Sequence, residues 1–270
     1  MPLGLPQISL KICEKIAARE PFAVYILLPM WSEGLPQSAA VQGLLYYQRL
    51  TMEAMYRRVQ LALTTHMASS PDHGMKVSDY LNFYCLGNRE ASNGSESIGT
   101  PFTKDEIILS KTRRHPIYVH SKMMIVDDNV ALIGTANINQ RSMDGCRDSE
   151  IMMTSWQPKH LATKEYMPEG DVRAFRLHIW ASNMNQMNEA FRRPSSLECV
   201  NTVNKIADHN WQQYLATETT DMTSHLLPYP LEFNGDKMTP RKGLTGETFP
   251  DTRASILGKH CKTLPEILLT

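Results

Sequence analysis

The chain has 270 residues, 42% of them hydrophobic, which suits one large globular domain or one domain with an appendage. Its 28 basic and 28 acidic residues cancel, so it lacks the basic footprint of a nucleic-acid binder. Five scattered cysteines with no C-x-x-C pair argue against a zinc site or disulfide framework and for a reduced, cytoplasmic setting. No apolar run approaches the roughly 18 residues of a membrane span. Met1-Pro2-Leu3-Gly4-Leu5-Pro6 lacks the charged and long apolar regions of a secretory leader. Any membrane contact is therefore expected to be peripheral.

In chain order, Ile8, Ile12 and Ile16 are spaced for a helix over 8–19. The continuous apolar run from Phe22 to Leu28 reads as a buried central strand, ended by Pro29. Trp31 and Glu33 then lie on a loop leaving the strand, where α/β proteins place ligands; packing is the reading taken, with lining of a substrate channel as the alternative. Residues 38–63 read as a long helix, and 80–86 as a second strand. Residues 91–101 are rich in Ser, Gly and Asn and read as a mobile surface loop. The basic run from Lys111 to His115 reads as a solvated edge. A hairpin is expected next, with strands at 117–126 and 130–134 joined by Asp127-Asp128-Asn129. Another strand begins near Glu150. Helices follow at 171–192 and 196–217, the second opened by Ser195-Ser196-Leu197-Glu198 as a capping box. From about 220 the chain is rich in Pro, Gly and Thr and reads as a surface wrap. Strands alternating with helices predict an α/β layered domain, a mixed β-sheet flanked by helices with a C-terminal helical and irregular extension. The division is expected at 1–165 for the catalytic unit and 166–270 for the extension packing on it.

The chemistry concentrates in the hairpin. His120, Lys122 and Asp127 fit H-x-K-x-x-x-x-D, and Gly134-Thr135-Ala136-Asn137 fits G-[ST]-x-N. On a strand, His120 and Lys122 would share a face. Lys122 offers a fixed positive charge to phosphoryl oxygens, and Thr135 and Asn137 offer hydrogen bonds. Imidazole can attack phosphorus when neutral, or protonate a leaving alcohol when charged, but not both at once. A phosphohistidine route therefore wants two histidines, and the motif occurs once. Asp127 lies at an odd offset and reads as a fold-holding carboxylate at the turn. Glu150 is the candidate partner that orients His120, with an ion pair to Arg147 as the alternative.

Together these segments resemble the second catalytic motif of eukaryotic phospholipase D of the plant type. The resemblance extends to 22–26, 29–34, Asp79–Glu90, Tyr118–Lys122, Ala136–Gly145 and Glu247–Asp251, nearly the whole chain. It implies a phospholipase D-like half-domain that hydrolyses phosphatidylcholine and similar lipids to phosphatidate and free headgroup. By that likeness His120 is the acid–base histidine, Lys122 and Asn137 hold the phosphate, and Glu150 orients His120. Calcium is implied by the resemblance alone. The family's lipid-binding domain and first half-domain, with its own histidine motif, have no counterpart here. The expected partners are a phospholipid surface and the missing catalytic half or a second chain, with no nucleic acid. A catalytically inactive lipid- or partner-binding module, and a homodimeric single-motif phosphodiesterase, are the competing readings.

Overall fold

A computed structural model describes residues 4–67, 74–92, 104–157 and 169–262. Helix α1 (Gly4–Ala18) precedes strand β1 (Val24–Leu27), and the long helix α2 (Ala39–Met67) carries the chain to β2 (Leu81–Arg89). Strand β2 runs parallel to β1 and antiparallel to both β3 (Arg114–Ile117) and β7 (Leu226–Pro228). These four strands form the central sheet.

Strand β2 is the wall on which the layers are built. Its alternate residues Leu81, Phe83 and Cys85 join a core made by α1, α2 and the C-terminal segment. Tyr84 and Leu86 enter a second core on the opposite face, with Phe191, Cys199 and Val203. This is the period-two alternation of a strand covered on both sides. Ile12 and Ile16 of α1 are fully buried, as their four-residue spacing predicts. Helix α6 (Leu197–Leu215) buries Cys199, Val200, Val203, Ala207, Trp211 and Tyr214 along one stripe. Fully burying each such large side chain stabilises by about 1.5–3 kcal/mol.

Several polar groups in this interior are paired. Asn204 Nδ2 donates to Asn82 Oδ1 at 3.2 Å, and Tyr84 donates its hydroxyl proton to Asn204 Oδ1 at 2.7 Å. Asn82 Nδ2 in turn donates to Ser78 O at 2.7 Å. The buried Arg89 guanidinium donates to Thr112 O, Gln213 O and Ala216 O at 2.8, 3.0 and 2.6 Å. Arg114 donates to Asp251 Oδ1 at 2.7 Å and to Leu215 O at 3.3 Å. Two cations thus sit at the negative end of the α6 dipole, where charge and unsatisfied carbonyls both favour them.

The C-terminal segment is part of the core. Met222, Leu227, Tyr229, Leu231 and Ile256 are buried, and β8 (Leu231–Phe233) pairs with β9 (Met238–Pro240). Gly258, at φ +68°, lies so close to α2 that a Cβ would come within 2.1 Å of Tyr46 N.

Several elements differ from the sequence reading. Of the strand expected at 117–126, Ile117 ends β3 in the central sheet, residues 118–121 lie in no strand, and β4 (Lys122–Val126) lies in another sheet. The chain leaves the ladder between them, and the His120 carbonyl is taken by the Lys122 ammonium at 2.6 Å. Helix α3 (Lys104–Thr112) was not foreseen. Helix α5 (Asp171–Met184) is shorter than 171–192, because Asn185 adopts a left-handed cap at φ 48°. The α6 cap is Ser196, whose hydroxyl accepts from Cys199 N, so the Ser195–Glu198 box does not form. Most of the loop expected at 91–101 lies outside the described residues.

Candidate active site

Strands β4, β5 (Val130–Gly134) and β6 (Met152–Trp156) form a separate antiparallel sheet, ordered β4-β5-β6. The β4–β5 turn has Asp127 and Asp128 at φ 52° and 53°, closed by Asn129 N donating to Val126 O at 2.9 Å. Asp tolerates that region better than most residues, which is why this sequence turns here. Gly134 is required by close approach, since a Cβ there would stand 2.4 Å from Ile151 O. That contact brings the end of β5 against the start of β6.

His120 is exposed and precedes β4, with its ring stacked on Tyr118 at a centroid distance of 6.1 Å. Lys122 opens β4. Its ammonium donates to the His120 carbonyl, so the two motif side chains meet through the backbone. Thr135 donates its hydroxyl proton to Glu150 Oε2 and accepts from Ile151 N at 3.0 Å. Glu150 is thus bonded to Thr135, and among the described residues no hydrogen bond joins it to His120. Asn137 is exposed just beyond Thr135. His120, Lys122, Thr135, Asn137 and Glu150 therefore belong to one open end of the motif sheet, with their polar groups accessible from outside.

Two features were not legible in the motif. Asn139 caps the short helix α4 (Gln140–Met143) by accepting from Ser142 N at 2.9 Å. Arg141 Nε pairs with Asp148 Oδ2 at 2.9 Å, folding the 135–150 loop back on itself. At the hairpin tip the fold-holding role read for Asp127 goes to its neighbour. Asp127 is exposed, whereas Asp128 is 1% exposed and binds Arg176 of α5 through both carboxylate oxygens.

Among the described residues the motif sheet carries a largely exposed set of apolar side chains. Met123, Met124, Ile133 and Met152 are more than a third exposed, and Met153 and Trp156 reach 69% and 68%. Single exposed apolar residues are ordinary, but a contiguous set on one sheet marks an interaction surface. Trp31, read as a channel-lining candidate, packs its ring edge on Phe249 at 5.2 Å, while Glu33 is exposed. Among the described residues no group of three or more His, Cys, Asp or Glu is placed to hold a metal ion. No described helix is long and apolar enough to cross a membrane.

The α/β layered unit thus carries a histidine, a lysine, a hydroxyl and an amide at one sheet end. The Phospholipase D family model matches residues 4–258, and the chain belongs to that family. It is 44% identical over 258 residues to phospholipase D beta 1 of Arabidopsis thaliana, covering 93% of this chain and 23% of the relative. It is 45% identical over 271 residues to phospholipase D alpha 1 of Zea mays, covering 98% of this chain and 32% of the relative. Phospholipase D alpha 2 of Oryza sativa subsp. japonica is 46% identical over 269 residues, with 98% and 32% covered. The chain thus spans a third or less of the length of these relatives.

Proposed function

We propose that this chain supplies the second half of a phospholipase D-type site, completed by a polypeptide carrying another histidine motif. The carrying observation is the exposed His120 end of an uncovered apolar sheet, in a chain spanning 32% or less of its named relatives. A completing half would cover Met153 and Trp156 and set a second imidazole across from His120.

The reaction then runs in two balanced steps. The partner's neutral imidazole nitrogen attacks phosphorus of phosphatidylcholine, forming the N–P bond as the P–O bond to choline breaks. His120, protonated, gives its proton to the departing choline oxygen. Water next loses a proton to the now neutral His120 and attacks phosphorus, and the N–P bond breaks to release phosphatidate. Lys122 leaves the His120 carbonyl for a phosphoryl oxygen, trading a neutral acceptor for a charged one. Asn137 donates to the same oxygens. Glu150, rotating from Thr135 toward the far nitrogen of His120, would orient the ring and stabilise its charged form. The lipid is met at a peripheral membrane surface.

The test compares the purified chain with the chain mixed with the N-terminal remainder of the maize relative. Choline release from phosphatidylcholine vesicles is expected only from the mixture. It should fall by about 10³-fold or more in His120→Ala. Turnover that survives His120→Ala would refute the assignment. Full turnover by the monomeric chain would overturn the incomplete site, activity confined to a dimeric fraction would favour two copies of this chain, and a mixture that assembles without turnover would favour a binding module.

A further inference from the structure

The motif hairpin carries the site at one end and a buried charge pair at the other. Asp128 accepts from Arg176 Nε and, at 2.7 Å, from Arg176 Nη2. The same Nη2 donates to Phe191 O at 2.8 Å. The guanidinium lies over the Trp180 ring, 4.7 Å from its centroid. Trp180 in turn meets Tyr25 of β1 edge-on at 4.9 Å, and Tyr25 donates its hydroxyl proton to Pro194 O at 2.6 Å. A continuous set of contacts therefore runs from the hairpin tip through α5 to the central sheet.

We infer that Asp128, through Arg176 and Trp180, is the positioning residue that sets the motif strand relative to the rest of the protein. Three observations carry this. The motif sheet and the central sheet share no ladder, so strand pairing does not orient one on the other. The pair is dry, with side-chain exposures of 7% and 0% for Arg176 and Asp128, so removing either partner strands a buried charge. The bidentate fork also fixes direction as well as distance, which a single point contact would not. Arg176 Nη1 is buried with no acceptor among the described residues, and the Trp180 ring adds a favourable contact at the guanidinium face. Strand β4 is a lever between this anchor and His120, at about 3.3 Å per residue. A small rotation at the tip becomes a displacement of ångströms at the imidazole, enough to spoil proton transfer to the leaving group.

Hydrogen exchange on the isolated chain tests the anchor without any activity. In Asp128→Asn, amides of 123–134 should exchange at least about tenfold faster while those of 81–86 hold their protection. Asp127→Asn should leave both sets unchanged. Arg176→Lys, which keeps charge and fold but loses the fork, should give an intermediate increase. The exchanged pair, Asp128→Arg with Arg176→Asp, should recover part of the protection lost in either single variant. Equal effects of Asp127→Asn and Asp128→Asn, or unchanged exchange in Asp128→Asn, would overturn the inference. The activity arm rests on the proposed phospholipase D reading. In the completed enzyme Asp128→Asn should lower kcat with KM held, and a KM change alone would count against positioning. If the wild-type mixture is inactive, that reading fails while the exchange result still decides the anchor.

Discussion

The central sheet and the motif sheet are both built from short strands, yet the middle strand of the first is buried on both faces while the last strand of the second is largely exposed. Strand β2 has all but one of its nine residues buried, and three of its four polar or charged side chains are paired inside. Strand β6 has four of its five residues exposed, two of them methionine and one tryptophan. The apolar content of the two does not account for this. Covering layers do: α1, α2, α6 and the C-terminal segment enclose the first sheet, and no described element encloses the second. Stability here comes from the central sheet, and the motif sheet presents chemistry and a face to be covered.

This contrast can be broken at several points. The largest effect expected is alkaline collapse of the central layers. Burial pushes the phenols of Tyr25, Tyr84, Tyr214 and Tyr229 and the thiol of Cys85 well above their ordinary values. Below pH about 7.5 both folded and unfolded chains keep these protons, and full stability is present. At higher pH the unfolded chain releases them and the folded chain does not, so stability falls as pH rises. Tyrosinate absorbance should therefore rise together with loss of far-UV dichroism, not before it. Phenols that titrate freely in a folded chain would contradict the burial.

Next in size is a pair of truncations. Leu81→Ala should cost about 3 kcal/mol or more in urea unfolding, because it opens a cavity in a closed core. Met153→Ala should change the same measurement by less than about 0.5 kcal/mol, yet reduce self-association of the isolated chain in light scattering. Comparable losses of stability would erase the distinction between the sheets. A smaller effect sharpens it. Gly134→Ala should cost about 1–3 kcal/mol by overpacking, since Ile151 O already occupies the space of a Cβ. An unchanged urea midpoint would mean that the β5–β6 contact is slack.

Much of this was legible in the sequence. The spacing of Ile12 and Ile16, and of Val200, Val203, Ala207 and Trp211, located two helices because a single buried stripe leaves a strong 3.6-residue period. The apolar run at 22–28 located β1 but reads as a buried central strand, whereas β1 pairs only with β2 among the described strands and is half-buried. The motif named the open end of the hairpin, since His120, Lys122, Thr135 and Asn137 are close in sequence. What depended on distant partners was hidden. Asp127 and Asp128 are adjacent carboxylates with equal claim to a structural role, and only the position of Arg176 separates them. The departure of the chain from the central sheet after Ile117 is likewise set by packing, as local propensity there continues to favour a strand. Glu150 met Thr135 because Gly134 lets two strand ends touch, a contact that no spacing rule encodes.

The polar chain Tyr84–Asn204–Asn82–Ser78 has a consequence for how the molecule finds its fold. Strand β2 is so uniformly apolar around it that oily contacts alone would tolerate a slip against its neighbours. A slip of one residue turns every side chain to the opposite layer. Asn82 would then enter the α1–α2 core with its amide unanswered, and Tyr84 would lose its acceptor on α6. Such stranded groups cost about 1–3 kcal/mol each. The two asparagines thus act as a proofreading key, penalising misaligned pairings during assembly more than they strengthen the correct one.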